Sequence, residues 1–217
     1  GDIDIDTATL TVDETITTST GTNGTTTVTN SGVASVNADI TSDGTLTFDG
    51  VGRVDLGADL EATSSDIDGG SDDIGDGAGV VVNASTVQVV GGDRAITTSD
   101  GAITLDEVSE DTGSTRTLRL TATTGAITID DNVGSDGSEV GHLVIESAGD
   151  VHFSGTEATI DVAELTIGNT SAIGTGGGAG DTEFDGVVVV DGDIDIDTAM
   201  LTVDETITTS TGTNGTT

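Results

Sequence analysis

Residues 101–106 read GAITLD, residues 125–130 read GAITID and residues 149–154 read GDVHFS. Their leading glycines stand 24 residues apart each time. Within each, apolar side chains alternate with polar ones, the two-residue period of a strand with one buried and one solvated face. A second series keeps nearly the same interval: Leu118/Leu120, Leu143/Ile145 and Leu165/Ile167, at steps of 25 and 22. Each unit of about 24 residues therefore contributes at least two short strands. Strands that recur at a fixed interval with turn residues between them predict the stacked coils of a parallel β-solenoid, an all-β fold with a thin column of aliphatic side chains inside.

The rest of the chain repeats the pattern. GDIDID, TLTFDG, RVDLG, STVQVV and ELTIG all alternate. Thr, Val and Ile fill the runs, as strands prefer, and Gly, Asp, Asn and Ser fill the gaps, as turns do. No segment holds a 3.6-residue apolar period, so helix is not expected. The polar stretches 61–79 and 171–183 break the rhythm and are predicted to be loops bulging from the coils, where insertions cost little. A string of β-sandwiches is the rival architecture. Such cores lean on Trp and a corner Tyr, and this sequence has neither, no proline, and only Phe48, Phe153 and Phe184 as aromatics.

A longer period encloses the short one. Residues 1–26 and 192–217 agree at 25 of 26 positions, differing only at Thr9 and Met200, an offset of 191. The sequence reads as one full repeat, 1–191, and the start of the next, 192–217, within a tandem array. At about 24 residues per coil, eight coils per repeat are expected, with Ile194/Ile196 stacking on the coil that contains Val187–Val190.

Charge excludes several functions. Forty acidic residues face four arginines and no lysine. The last 26 residues hold five of those acids and no base, so one period carries 35 acids, four arginines and 31 net negative charges. A polyanion of this kind has no footprint for nucleic acid or anionic membrane, and no apolar run approaches membrane-spanning length. Cations and further copies of the same chain, end to end and side by side, are the expected partners. Cysteine is absent, so disulfides do not hold the fold.

The phrases GDIDIDTATLTVDETITT, GTLTFDG, GAITLDE, GAITIDD, SAGDVHFSG and GTGGGAGDTEFDG resemble the β-helical repeats of large bacterial surface exoproteins, the filamentous-haemagglutinin-like adhesins. The likeness covers most of the chain and is one of strand texture, with no catalytic motif in it. It implies a right-handed parallel β-helix, secretion, and an adhesive or matrix role, and it carries over no functional residue.

Candidate sites are all acidic. Asp2/Asp4/Asp6 and Asp193/Asp195/Asp197 each place three carboxylates on one strand face, about 7 Å apart. If neighbouring rungs are also acidic, they offer the oxygen ligands calcium takes. The loop 66–77 holds Asp66, Asp68, Asp72, Asp73 and Asp76. It fits neither the EF-hand spacing nor the glycine-rich nonapeptide pattern, yet its carboxylate density makes it the second candidate for Ca2+. His142 and His152 lack the cysteines or third histidine of a familiar zinc site and read as surface residues. Paired acids for glycoside hydrolysis are uninformative in a chain this acidic, and aromatic sugar platforms are missing, so no enzyme is expected. Thr-x-Thr runs suggest ice binding only if they align in every coil, and acids hold many outward positions.

The function read from the sequence is therefore structural: an extracellular filament, sheath or cell-surface stalk built of tandem acidic solenoid repeats. An adhesin stalk is the alternative and an ice-binding solenoid a lesser one. Neighbouring carboxylates about 5 Å apart cost about 1 kcal/mol per pair even at high dielectric. Chelating divalent ions should thus lower the melting temperature of the chain at constant ionic strength, and added calcium should restore it. Identical melting curves in chelator and in matched sodium chloride would show the acids to be a solvated coat.

Overall fold

The computed structural model describes residues 1–18, 24–50, 52–63, 78–111, 115–134, 138–147, 149–155, 159–168 and 179–209. Among them every ladder is parallel and no helix occurs. The chain winds as a solenoid with three strand-bearing faces. The first face is a nine-stranded sheet running from Ile3–Thr7 through Thr26–Asn30, Leu46–Asp49, Val80–Asn83, Ile103–Leu105, Ile127–Ile129, Val151–Phe153 and Ala179–Phe184 to Thr198–Val203. The second is a five-stranded sheet from Leu10–Val12 to Val108–Glu110. Its column continues through Val133, which bridges Val108 and Ile160. The third face begins at Ile16–Thr17 and belongs to a ten-stranded sheet. In that sheet the strand Thr159–Ile167 turns a corner unbroken: Thr159–Val162 pairs with Val187–Val190, and Leu165–Ile167 pairs with Ile194–Ile196.

The 24-residue step is a register. Ile103, Ile127 and Val151 are Cα partners in sequence, as are Leu105, Ile129 and Phe153. Leu118, Leu143 and Leu165 align likewise on the third face. Alternation decides which side chains go in. All of these are buried, whereas Thr104, Thr128 and His152 between them point outward and are half-buried. Parallel stacking puts like over like, so the interior is a set of aliphatic columns. Phe153 and Phe184 stack with ring centroids 4.9 Å apart, which adds about 0.5–1.5 kcal/mol beyond their burial. Buried hydroxyls serve the corner between third and first faces: Ser42 Oγ donates to the Gly24 carbonyl at 3.2 Å, and Thr98 Oγ1 to that of Gly101 at 2.5 Å.

Two expectations need correction. The stretches 61–79 and 171–183 are not loop throughout: Leu60–Ala62 and Ala179–Phe184 are strands, Ala62, Ala78, Thr182 and Phe184 are buried, and the rest of both stretches lies largely outside the described residues. Small residues and threonine fill inward positions there, which makes core look like loop. Ile194/Ile196 also do not stack on the coil of Val187–Val190. They lie on the next face of that same coil, against Leu165 and Ile167, and it is Ile207–Thr209 that stacks on Val188–Val190.

That second correction shifts the phase of the whole repeat. In the first copy Ile3–Thr7, Leu10–Val12 and Ile16–Thr17 take the first, second and third faces. In the second copy the equivalent segments take the third, first and second. Strand order is kept, and the copy is displaced by one face. Ile3 opens the first coil and Ile194 closes the eighth, so the period spans seven coils and two further faces.

The recurring glycines follow from the close approach of successive corners. A Cβ on Gly125 would stand 2.1 Å from the Gly101 carbonyl oxygen, and one on Gly149 would stand 2.5 Å from that of Gly125. Both obstacles are backbone, so the coils would have to part. Gly125→Ala is expected to destabilise the chain by about 1–3 kcal/mol in chemical denaturation, against about 0.5 kcal/mol or less for the outward Thr128→Ala. Equal costs would mean that the corner spacing is not what holds glycine there.

Candidate cation-binding edge

Register also decides which outward side chains meet. One residue past the last inward apolar side chain of each first-face strand lies a column made of Asp6, Thr29, Asp49, Asn83, Asp106, Asp130, Ser154, Asp185 and Asp204. Six of its nine members are aspartates, spaced at the coil rise of about 4.8 Å. The acid ladder of this protein thus runs along the solenoid axis. Ser154 Oγ donates to Asp130 Oδ1 at 2.6 Å, a hydroxyl placed between the carboxylates of successive coils.

Four carboxylates meet where Asp106-Glu107 lies beside Asp130-Asp131 of the next coil. Partial burial, then the charges of Asp130 and Asp131, push the Asp106 carboxyl above its usual range. Burial, then Asp131 and Asp106, does the same to Glu107. The arginines give this patch no relief. Arg53 pairs with Asp55 at 2.5 Å, Arg116 with Glu110 and Asp111, and Arg119 with Glu146 at 2.6 Å. Arg94 donates to the carbonyls of Leu56, Val90 and Asp93. Glu110 is buried and accepts from the backbone N–H groups of Thr115, Arg116 and Gly141, a structural plug at a corner.

The sequence-predicted sites fare differently. Asp66, Asp68, Asp72, Asp73 and Asp76 lie outside the described residues. Asp193, Asp195 and Asp197 are exposed on the third face. Asp193 falls beside Glu164, but Asp195 is the partner of Thr166, and the N–H of Asp197 donates to the Ile167 carbonyl. In the first copy Asp4 and Asp6 face Thr27 and Thr29, and Asp2 accepts from the N–H and hydroxyl of Thr25. In the first copy the neighbouring rung therefore presents threonine where stacked carboxylates were expected, because the adjoining coil carries TTVTN there, and in the second copy only Asp193 meets another acid, Glu164.

Threonines do line up. The middle outward column of the first face reads Asp4, Thr27, Thr47, Val81, Thr104, Thr128, His152, Glu183, Thr202. Val81, His152 and Glu183 interrupt it, so no flat threonine plane extends along the rod. A concavity of about 520 Å³ at one corner is lined by Asp6, Thr7, Ala8, Thr29, Asn30, Ser31 and Gly50, without a histidine or an aromatic platform.

No family model matches the chain, and comparison with curated proteins and with solved structures gives no significant match.

The raised carboxyls set a pH dependence with a definite sign. The folded chain holds protons that the unfolded chain has already released, so stability falls as pH rises from the ordinary carboxylate range through the raised values. The penalty is fully present at neutral pH. Asp106→Asn should therefore raise the melting temperature by about 1–2 °C at pH 7, with the gain fading near pH 4. A gain of the same size at both pH values would trace the effect to packing, not charge.

Proposed function

We propose that this chain is a stretch of an extracellular structural filament or stalk, built of tandem acidic solenoid repeats, each turned by one face relative to the last. The observation that carries the reading is the unbroken pairing across the repeat junction. From Val187–Val190 the chain passes through Asp191, Gly192 and Asp193 straight into Ile194–Ile196 on the same coil. No spacer intervenes at which one repeat could swivel on the next. A period of seven coils and two faces rises about 37 Å at about 4.8 Å per coil. It spreads 31 charges at about one per 1.2 Å, denser than the roughly one per 1.7 Å of duplex DNA. Such a rod needs condensed cations, and the column from Asp6 to Asp204 is where calcium would gather, bridging carboxylates of successive coils. The likeness in strand texture to filamentous-haemagglutinin-like exoproteins supports a secreted, surface-attached setting.

Electron cryo-microscopy of a chain of three tandem repeats tests this reading. The expected particle is one stiff rod that lengthens by about 37 Å per repeat, each repeat turned by a third of a revolution beyond the smooth twist of the stack. Beads joined by bends would overturn the filament. A straight rod whose repeats all present the same face would overturn the rotation alone.

A further inference from the structure

We propose that His152, Glu183 and Asp185 form a binding site for a zinc-class divalent ion on the first face of the solenoid. The three residues converge through register. His152 and Glu183 are Cα partners on adjacent strands, and Asp185 lies two residues beyond Glu183, on the same outward side. Beneath them Phe153 stacks on Phe184, so the two strands cannot slip without breaking a buried aromatic pair.

The distances suit a small ion. His152 Nε2 lies 3.3 Å from Asp185 Oδ2 and 3.7 Å from Glu183 Oε2, and one ligand atom from each residue falls within 4.8 Å of the others. Zinc–nitrogen and zinc–oxygen bonds of about 2.0–2.2 Å, set tetrahedrally, give ligand–ligand edges on the order of 3.4 Å. Small side-chain adjustments therefore close the set around one ion, with a fourth position open to water. The side chains are about 20–50 % exposed (38 % for His152, 48 % for Glu183 and 20 % for Asp185), enough for entry.

Donor chemistry separates this site from the rest of the acid column, to which Asp185 also belongs. An imidazole with two carboxylates favours zinc, cobalt or nickel, whereas calcium takes oxygen ligands and gains little from a ring nitrogen. The second histidine is an internal control. His142 Nδ1 lies 3.5 Å from Glu164 Oε2 on the third face, but its Nε2 is engaged with Thr166 Oγ1 at 2.9 Å, and no third ligand converges on it among the described residues.

The test is zinc titration of the 217-residue chain by calorimetry, in excess calcium and physiological sodium chloride to saturate the diffuse acidic background. One zinc per chain is expected. His152→Ala should weaken it at least 10-fold, Asp185→Asn should weaken it, and His142→Ala should leave it unchanged. In the unaltered chain, zinc should shift the ring resonances of His152 and not those of His142, a readout that needs no variant to fold. Zinc binding that survives His152→Ala, follows His142, or is abolished by the excess calcium would overturn the site, whatever becomes of the filament reading.

Discussion

The parallel ladder between successive coils is the constraint on which the rest of this structure depends. Each strand hydrogen-bonds to the strands one coil before and after it, at a spacing of about 4.8 Å. Every side chain therefore lies directly over the one at the matching position of the neighbouring coil. Inside, that makes columns of Ile, Leu and Val, with Phe153 on Phe184. At a corner it makes a column of glycines, because the carbonyl of Gly101 occupies the place of a Gly125 side chain. Outside, it makes a column of aspartates. The first two arrangements favour folding, and the third opposes it. Repulsion along Asp106, Asp130 and their neighbours is the cost of stacking outward acids in the same register that stacks the core.

How this conflict is met differs along the molecule. At Asp130 a hydroxyl from Ser154 intervenes. At Asp185 an imidazole from His152 does so. At Asp106 and Glu107 the carboxyls hold on to protons above their usual range. The four arginines spend themselves elsewhere, on corner carbonyls, on the buried Glu110 and on acids of the other faces. Screening by solution ions, or capture of them, is what remains for the first-face edge.

Legibility in the sequence followed the evenness of spacing. GAITLD, GAITID and GDVHFS stand at equal steps with no insertion between them, so their pairing could be read directly, down to which residues face inward. From Leu46 to Val80 the same register spans 34 residues, and from Val151 to Thr182 it spans 31. Steps so much longer than 24 residues hide the match. The Asp49–Asn83 contact and the meeting of His152 with Glu183 and Asp185 therefore leave no periodic trace. The pair GAITLDE and GAITIDD was the one visible piece of the acid column. Acids within one strand, as in GDIDID, are easier to see, but they lie about 7 Å apart, and the coil beside them presents threonine.

The phase of the repeat was illegible for a deeper reason. Alternation distinguishes inside from outside and says nothing about which of three faces a strand occupies. The segments IDI, LTV and ITT fit any of them, since each face asks for the same alternate aliphatic residues. The period therefore need not hold a whole number of coils, and the structure places the two copies one face apart. In an array this has a physical consequence. A period of whole coils would put every acid column on one side of the rod and leave it strongly polar in cross-section. A one-face displacement carries the column to a new direction in each repeat and returns it after three. In the array proposed above, charge averaged over three repeats would be equal on all sides, and no side of the rod would be favoured for collapse onto a neighbour.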